Sequence, residues 1–341
     1  MKRVHGLWPA LTSWENLLSA AEAAARGKHC RPDIAAFDTR REEEVARLRD
    51  ELCSGSYRPG GYRHFVIHEA KPRRISAAPF RDRVVHHALC NVLQPIWEKR
   101  FIFDSYACRP GKGTHVAADR CQEFSRRAQY VLQCDVSKYF PSIDHEILFD
   151  EIRHVVGDRL VLDLVGRILR THGDAGLLWP AGKGLPLGNQ TSQFFSNVYL
   201  DRFDHWMKEE MRRRLYVRYC DDFIVLGDSA RELSDLREAV RGRLMSLALT
   251  LHPRKCRVFP VIEGCDFVGY RIWPTHRLLR RHSGFRFRRR FRGLMRAFAR
   301  GELGPSTVRQ RVASWIGHAR HADTWGLRQA VLRQAVDGPG D

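Results

Sequence analysis

Apolar residues recur at helical spacing near the start of the chain and predict a helix over residues 11–27. Thr12 and Glu15 fit a capping box at the start of this helix, and Gly27 can end it. Its apolar stripe consists of Leu17, Leu18, Ala21 and Ala25. The same spacing predicts further helices over residues 41–53, 81–99, 145–172, 194–212 and 230–249.

Alternating and β-branched segments predict strands between these helices. Residues 62–78 fit a hairpin whose turn contains Lys71 and Pro72. Residues 130–140 fit a strand that ends in a polar corner, and residues 182–193 fit a loop rich in Gly and Pro. Further strands are predicted over residues 215–220 and 223–227 and within residues 256–272.

The composition changes sharply at about residue 271. Residues 271–300 contain eleven arginines and no acidic residue. Apolar positions in this segment recur at i, i+4, i+7 and i+11, which predicts an amphipathic helix with an arginine-rich outer face. Those positions are Phe287, Phe291, Leu294 and Phe298. The sequence therefore predicts a body of mixed helices and strands, followed by a small basic helical lobe.

The charge of the chain narrows the class of partner. The 341 residues include 58 Lys and Arg against 39 Asp and Glu, which gives a formal net charge of +19. Arginine, which carries the excess, contacts phosphate bidentately. Clustered arginine therefore favours nucleic acid as the partner over a protein that is merely basic and soluble.

The cysteines and the hydropathy exclude several other classes. The chain has nine cysteines at wide spacing without a CxxC pair, which favours reduced thiols over a zinc site or a disulfide framework. No apolar run approaches the roughly 18 residues that a membrane span needs. The N-terminal residues lack the apolar core of a signal peptide. We therefore expect a cytoplasmic protein with no membrane partner.

Two adjacent carboxylates interrupt the apolar segment "LYVRYCDDFIVLGD", residues 215–228. Asp221 and Asp222 repel each other, yet aspartate is also common in turns, so the pair alone means little. Asp135 ends the earlier strand, and two neighbouring strands could bring all three carboxylates to one corner. A cluster of that kind needs cations, and its oxygen ligands suit Mg²⁺. Two such ions, about 3.5–4 Å apart, promote in-line phosphoryl transfer.

Six segments, taken in order, resemble the motifs of reverse transcriptases. They are "KPRRISAAPFRDRVVHHAL", "CDVSKYFPSID", "GLPLGNQTSQFFSNVYL", "RYCDDF", "HPRKC" and "DFVGYRIW". The resemblance extends from about residue 12 to residue 325 and implies an α+β right-hand polymerase fold. It also implies N-terminal helices and fingers over 1–128, a palm with an antiparallel sheet over 129–272, and a basic helical thumb over 273–341.

Within that family the chain most resembles enzymes of diversity-generating retroelements, in particular the phage tropism-switching type. The segments concerned are "TSWENL", "HHALCN", "YACRPGKGTH", "LGNQTSQ" and "FVGYRIWPTHRLLR". Leu187 precedes Gly188, where most reverse transcriptases carry Gln and this subgroup carries an aliphatic residue. The resemblance implies error-prone cDNA synthesis, with mutations at template adenines, that diversifies a variable gene by mutagenic retrohoming.

The resemblance also implies a catalytic and metal-binding set made of Asp135, Val136, Asp221 and Asp222. Asp135 and Asp221 would bridge two Mg²⁺ ions, and the Val136 carbonyl would add a ligand. Asp222 would stand close by, or would be a turn residue of only local use.

Nucleotide-binding roles are implied for Lys71, Arg73, Phe140, Leu187, Gly188 and Lys255. Lys71 and Arg73 would hold the triphosphate, although Arg74 competes with Arg73, and an exposed hairpin face would show the same charges. Phe140 would clash with a ribose 2′-hydroxyl, unless it is a core aromatic residue beside Tyr139.

Gly188 would let the backbone approach the nucleotide closely, because any side chain would block it. Leu187 offers no hydrogen-bonding group, and an apolar contact discriminates less strictly than a polar one, so we expect it to relax nucleotide checking. Lys255 would protonate the leaving pyrophosphate, or would be an ordinary surface lysine.

Template–primer contacts are implied for Phe267, Gly269, Tyr270, Arg288 and Arg292. The first three would form a primer-gripping hairpin, although the same letters fit an ordinary buried strand. The arginines would follow the nucleic-acid backbone through salt-sensitive contacts, unless the basic helix is peripheral.

The implied partners are dNTPs, an RNA/cDNA duplex, a template-repeat RNA with a structured flanking spacer, and a small basic pentameric accessory variability protein. The source would be a bacterium or a phage. Two alternatives stay open. One is another bacterial reverse transcriptase of group II intron, retron or phage-defence type, and the other is a catalytically idle RNA-binding scaffold.

Overall fold

A computed structural model describes residues 2–68, 72–173 and 182–336. Its α-helices, in chain order, are α1 (Trp8–Leu11), α2 (Trp14–Ala25), α3 (Pro32–Thr39), α4 (Arg41–Cys53), α5 (Phe80–Glu98), α6 (Thr114–Ser125), α7 (Tyr139–Ser142), α8 (His145–Val155), α9 (Arg159–Gly173), α10 (Gln190–Tyr199), α11 (Asp201–His205), α12 (Ala230–Met245), α13 (Arg281–Ala299), α14 (Pro305–Ala319) and α15 (Trp325–Val336). Within these ranges no helix has the length and apolar content to cross a membrane.

The strands are β1 (Arg63–His68), β2 (Pro72–Ala77), β3 (Tyr130–Asp135), β4 (Tyr216–Tyr219), β5 (Asp222–Gly227), β6 (Arg257–Pro260), β7 (Cys265–Phe267), β8 (Tyr270–Ile272) and β9 (Arg277–Leu279). They form three antiparallel sheets with the orders β1-β2, β4-β5-β3-β6 and β7-β8-β9. This mixture of helices and antiparallel sheets confirms the predicted α+β class.

The first predicted helix is two helices, α1 and α2. The residue that caps α2 is Ser13, whose hydroxyl accepts a hydrogen bond from the Asn16 amide at 3.1 Å. The capping box predicted at Thr12 is therefore wrong, because the Thr12 hydroxyl donates to the Trp8 carbonyl in α1. By contrast, α4 has the predicted bounds, and α5 begins and ends one residue before its predicted limits.

Two long predicted helices are interrupted. Residues 145–172 divide into α8 and α9 because Val156 forms a parallel bridge with Val4, and Gly157 donates to the Val4 carbonyl at 2.8 Å. The helix predicted over 194–212 consists of α10, α11 and a π-helical turn, Trp206–Glu210. Leu200 leaves helical geometry between the first two of these (ψ 3°).

The chain groups into two compact units. The first contains residues 1–108, 136–212 and 240–251, and the second contains residues 109–135, 213–239 and 252–341. Helices α1–α5 and the β1–β2 hairpin belong to the first unit. The two larger sheets and helices α13–α15 belong to the second. The division into fingers, palm and thumb stays a prediction.

The basic segment forms α13, and its apolar side packs against α14 and α15. Phe291 and Leu294 are buried with Val331, and the ring of Phe287 stacks on Trp315 at 3.9 Å between centroids. Phe298 was predicted on the same buried side, but 40% of it is exposed because this small core does not extend to it. The helical pattern of the segment is confirmed, and only its last apolar position is wrong.

Candidate active site

Asp135 and Asp222 lie directly opposite each other at the same end of two neighbouring strands. β3 and β5 pair antiparallel in a register that runs from Tyr130 opposite Gly227 to Asp135 opposite Asp222. Directly opposed residues of an antiparallel pair point to the same face, with Cβ atoms about 4.5–5.5 Å apart. The two carboxylates are consequently held next to each other by the sheet itself.

The paired aspartates sit at a tight turn. Tyr219 is opposite Asp222, so Cys220 and Asp221 form a two-residue loop between β4 and β5. Cys220 has a φ of +58°, a left-handed conformation that costs energy for a residue with a Cβ and that favours glycine. The buried guanidinium of Arg218 donates to the Cys220 carbonyl at 3.0 Å and helps to hold this conformation.

Electrostatic repulsion within the cluster is strong. Burial, the Asp221 charge and a hydrogen bond with Asp135 raise the pKa of Asp222 to about 7. Burial and the Asp135 charge also raise the pKa of Asp221. Ionising all of these neighbouring carboxylates costs free energy because their negative charges repel one another. Near neutral pH the aspartates therefore keep one shared proton unless a cation takes its place.

Lys255 forms an ion pair with Asp135. Its ammonium lies 2.6 Å from a carboxylate oxygen of Asp135. The amide of His252 donates to the Asp135 carbonyl at 2.8 Å, which fixes the loop carrying Lys255 against the end of β3. Lys255 is therefore paired with the acidic corner, although 48% of its side chain is exposed. Its role at the leaving pyrophosphate stays a prediction.

Two thiols, one beside Asp135 and one beside Lys255 in the sequence, contact each other next to this ion pair. Cys134 precedes Asp135, Cys256 follows Lys255, and their sulfur atoms lie 3.1 Å apart. Burial and the neighbouring Cys256 raise the pKa of Cys134 well above the usual range, so this thiol stays protonated. The contact packs the Lys255 segment against β3.

The carboxylates of this corner are the candidate ligands of a metal ion. No group of three His, Cys, Asp or Glu side chains in the part of the chain that the structure describes is arranged to hold a metal ion. The Asp135–Asp222 pair still offers adjacent carboxylate oxygens, and Mg²⁺ commonly takes only one or two protein carboxylates. Val136 is buried and bridges Leu251 within the first unit. The three-carboxylate ligand set stays a prediction.

Among the predicted nucleotide-binding residues of the first unit, Leu187 and Gly188 lie in a loop that is hydrogen-bonded to β2 and to the Phe140 carbonyl. The Ser76 amide in β2 donates to the Leu187 carbonyl at 3.1 Å, and the Asn189 side chain donates to the Ser76 carbonyl at 3.2 Å. Arg73 and Arg74 are both exposed on β2, where successive side chains point to opposite faces. Lys71 lies outside the described residues.

Gly188 and Phe140 have clear local environments. Gly188 has a φ of +112°, and a Cβ there would lie 3.0 Å from the Ile75 side chain, so both conformation and space require glycine. Tyr139 is the core aromatic residue, since it is buried and its hydroxyl donates to the Ser196 carbonyl. Phe140 keeps part of its surface exposed beside it, with ring centroids 5.5 Å apart.

The predicted template–primer residues fall in two places of the second unit. Phe267 and Tyr270 are buried and pair across the tight turn Val268–Gly269 that joins β7 to β8. The Gln133 side chain donates to the Asp266 carbonyl at 2.6 Å and so connects this hairpin to β3. Arg288 and Arg292 lie on α13 and line a shallow recess with Phe285.

Sequence reasoning missed three features around the site. These are the buried Arg218, the Cys134–Cys256 contact, and a cluster of histidines around Tyr270. The burial of Arg218 could have been predicted, because this arginine interrupts the apolar run "LYVRY". The other two depend on pairings between distant parts of the chain, which no local pattern reveals.

Comparisons with known proteins agree with this geometry. Residues 67–272 match the family model described as reverse transcriptase (RNA-dependent DNA polymerase). The chain is similar to the protein YkfC of Escherichia coli strain K12, with 29% identity over 333 residues, 83% of this chain and 85% of that protein.

Longer relatives match over part of their length. The group II intron-encoded protein LtrA of Lactococcus lactis subsp. cremoris is 24% identical over 261 residues, 73% of this chain and 42% of LtrA. The putative COX1/OXI3 intron 1 protein of Saccharomyces cerevisiae is 22% identical over 287 residues, 67% of this chain and 34% of that protein. The chain thus spans less than half of these intron proteins. Because the family model covers more than half of the chain, and because the carboxylate pair lies inside the matched region, the protein belongs to the reverse transcriptase family of RNA-directed DNA polymerases.

Proposed function

We propose that this reverse transcriptase is the cDNA-synthesising enzyme of a diversity-generating retroelement. It copies a template-repeat RNA into DNA with frequent errors at adenines, and the cDNA then replaces part of a variable gene. The observation that carries this proposal is Leu187, an aliphatic residue directly before Gly188 in a loop held against β2. The ordered motif resemblance from residue 12 to residue 325 supports the same subgroup.

The chemistry proposed is the addition of dNMP to a 3′-hydroxyl with release of pyrophosphate. Asp135, Asp221, Asp222 and the Val136 carbonyl would hold two Mg²⁺ ions. When bound, these ions supply charge stabilisation to the attacking and leaving oxygens. The fit rests on the Asp135–Asp222 pair, whose mutual repulsion makes a cation the natural neighbour of these oxygens.

Lys255 is proposed to act on the leaving group. In the structure, its ammonium forms an ion pair with Asp135. Once the aspartates have another cation, this ammonium becomes free to donate a proton or a hydrogen bond to pyrophosphate. General acid catalysis of this kind contributes typically 10²–10⁴-fold to a rate.

Residues of the first unit are proposed to select the nucleotide. Arg73 and Lys71 would hold the triphosphate, and the exposed part of the Phe140 ring would exclude a ribose 2′-hydroxyl. Gly188 would leave the backbone bare against the nucleotide. Leu187 would check base pairing loosely, because an apolar contact leaves no buried polar group unpaired when the wrong base enters.

The second unit is proposed to hold the nucleic acid. The turn that contains Gly269 would grip the primer end, together with Phe267 and Tyr270, and Arg288 and Arg292 would contact backbone phosphates. The partners proposed are the template-repeat RNA with its structured spacer, the RNA/cDNA duplex, dNTPs and a small basic pentameric accessory protein.

A second candidate is a reverse transcriptase of group II intron type. It is favoured by the similarity to intron-encoded proteins, although the chain spans 42% of LtrA. An idle RNA-binding scaffold is disfavoured, because the carboxylates of the polymerase motifs are all present.

The test uses purified protein and its candidate RNA, with and without the accessory protein, followed by sequencing of the cDNA. We expect Mg²⁺-dependent cDNA whose substitutions concentrate opposite template adenines. Substitutions spread evenly over the four template bases, at the level of an ordinary reverse transcriptase, would favour the group II intron type instead.

A further inference from the structure

Two histidines contact the side chain of Tyr270 next to the β7–β8 turn, and a third stacks on one of them. His115 near the start of α6 and His321 after α14 stack face to face, with centroids 3.6 Å apart and planes 10° apart. His318 near the end of α14 lies 4.9 Å from the Tyr270 ring and 5.6 Å from His115. The four rings come from three segments of the second unit, namely α6, β8 and the end of α14 with the residues that follow it.

A single oxygen atom connects these segments. The Tyr270 hydroxyl donates to the His318 carbonyl at 3.0 Å. The same oxygen lies 3.0 Å from Nδ1 of His115 and 3.1 Å from Nδ1 of His318. Since a hydroxyl has one proton and two lone pairs, all three contacts are satisfied when both imidazoles carry a proton on Nδ1. Tyr270 is fully buried, so losing any of these bonds leaves a polar group unpaired.

The adjacent turn needs to be held in place. Val268 has a φ of +44° and Gly269 a φ of +91°. A β-branched residue with positive φ is strained, and such strain persists only where the surroundings impose it. The Gly269 carbonyl accepts a hydrogen bond from the Arg280 amide at 3.1 Å, and a Cβ on Gly269 would lie 3.8 Å from Nε2 of His318. His318 therefore lies beside the turn while it contacts Tyr270.

We propose that His115 and His318 are positioning residues that hold the Val268–Gly269 turn, through the Tyr270 hydroxyl, in the geometry that grips the primer end. This inference rests on the proposed primer contact of the turn, and it assigns to the two histidines a role that is exerted through Tyr270. His321 supports the arrangement by stacking on His115.

The charges around the cluster make the arrangement sensitive to acid. Besides the three imidazoles, the charged groups that face it are Arg277 on β9, 5.6 Å from the Tyr270 ring, and Asp119 on α6. Asp119 is already paired with Arg277 at 2.6 Å. The Arg277 guanidinium also donates to the His321 carbonyl.

Among the residues that the structure describes, Asp119 is the carboxylate that faces the cluster, and its pairing with Arg277 leaves it less able to neutralise a second cation. Burial and the neighbouring imidazoles lower the pKa of both His115 and His318. When the pKa of a histidine is lower in the folded state than in the unfolded state, the folded state is fully stable only above the unfolded pKa, near 6.5. Part of that stability is lost as the pH falls from about 6.5 through the folded value.

The experiment measures primer extension on an RNA template, with separate KM values for primer–template and kcat, between pH 5.5 and 8. We expect His318→Ala to raise the KM for primer–template about tenfold at pH 7.5, the factor for one lost hydrogen bond, with kcat changed less than about twofold. Tyr270→Phe, which removes only the hydroxyl, should act in the same direction. His318→Asn places an amide donor near the position of Nδ1 and should restore most of the affinity.

The pH profile separates positioning from general stability. In the wild type we expect the KM for primer–template to rise as the pH falls below 6.5. The double variant His115→Asn/His318→Asn cannot take up these protons and should lose that rise. His276→Asn is the matched control, because His276 stacks on Trp273 in the next turn and lies outside the cluster.

A readout independent of activity is hydrogen exchange of the amides of residues 267–270. It should be faster in His318→Ala and Tyr270→Phe than in the wild type and unchanged in His276→Asn. If the wild type extends primers and these variants keep its KM and exchange rates, the positioning role is overturned. If the wild-type enzyme extends primers without adenine-directed errors, the proposed function is contradicted. The comparison of KM and exchange rates between the wild type and the variants still tests the positioning role.

Discussion

Asp135 and Asp222 face each other across the β3–β5 pair, and the two carboxyl groups share a hydrogen bond. A sheet that positions two acids at this distance raises their free energy when both are ionised. The structure thus holds an arrangement that is unfavourable by itself and favourable in the presence of a cation.

The first prediction concerns stability without metal. Asp222 has a pKa of about 7 in the fold. Below about pH 3.9, the ordinary pKa of Asp in the unfolded chain, Asp222 is protonated in both the folded and the unfolded state. Between about pH 4 and pH 7 it is protonated only in the folded state. Stability therefore falls as the pH rises through that window. Asp222→Asn removes the titration, so in EDTA we expect the variant to be more stable than the wild type by about 1–3 kcal/mol at pH 8.

Urea denaturation at pH 5 and pH 8 measures this difference, which should shrink towards pH 4. Asp228→Asn is the control, because Asp228 is an exposed aspartate just after β5 and should show no such pattern. An Asp222→Asn protein that is less stable than the wild type at pH 8 would contradict the electrostatic account of this corner.

Lys255 should matter for the rate more than for nucleotide affinity. With Lys255→Ala, we expect kcat to fall about 10²-fold while the KM for dNTP changes little, because the ammonium acts on the leaving group. Steady-state extension at saturating template measures both constants. Lys99→Ala, an exposed lysine at the end of α5, serves as the control. A change confined to KM would assign Lys255 to binding instead.

Leu187 should set the error frequency. Leu187→Gln introduces an amide where the apolar side chain now lies, and we expect fewer substitutions per copied adenine, by about tenfold, since polar recognition penalises a mismatch more strictly. Sequencing of cDNA from the same RNA measures it. Leu187→Met, which conserves volume and polarity, should keep the wild-type frequency. An unchanged frequency in Leu187→Gln would refute the role given to this residue.

The arginine face of α13 should be visible in the salt dependence of binding. Each phosphate contact contributes about 0.9 to the slope of log K against log salt for duplex DNA, with a comparable value expected for the hybrid. Replacing Arg288 and Arg292 with Ala should reduce the slope by roughly 2 for an RNA/cDNA duplex. Fluorescence anisotropy between 50 and 200 mM salt measures it. If the slope is unchanged while the fold is intact, this face does not contact the backbone.

Much of the active-site geometry follows from local pattern. The strand–Asp–Asp–strand layout and the strand ending in Asp135 predicted two neighbouring strands, and β3 and β5 are indeed adjacent. The basic amphipathic helix is also present as α13, because helical periodicity over the twelve residues 287–298 is a strong signal. The β4–β5 hairpin and α13 depend on residues close in sequence, whereas the pairing of β3 with β5 joins segments that are far apart along the chain.

What the pattern could not give depends on distant partners. Val156 leaves its helix because Val4 pairs with it. His115 and His318, which are far apart in sequence, meet at the Tyr270 hydroxyl and through their own rings. The short strand β9 lies inside a segment whose arginines suggest only a basic surface. The sequence predicted a basic helical lobe over 273–341 but did not separate α14 and α15, whose apolar residues complete the core against α13.

The most direct test of the central claim is single-turnover, Mg²⁺-dependent extension of a DNA primer on an RNA template by the wild type and by Asp222→Asn. The variant is expected to be folded, so a lost rate cannot be attributed to unfolding. If the Asp135–Asp222 pair is the catalytic centre, the rate of the variant falls by about 10³-fold or more, as expected when charge stabilisation at the reacting oxygens is lost. A variant that extends the primer within tenfold of the wild-type rate would contradict the account.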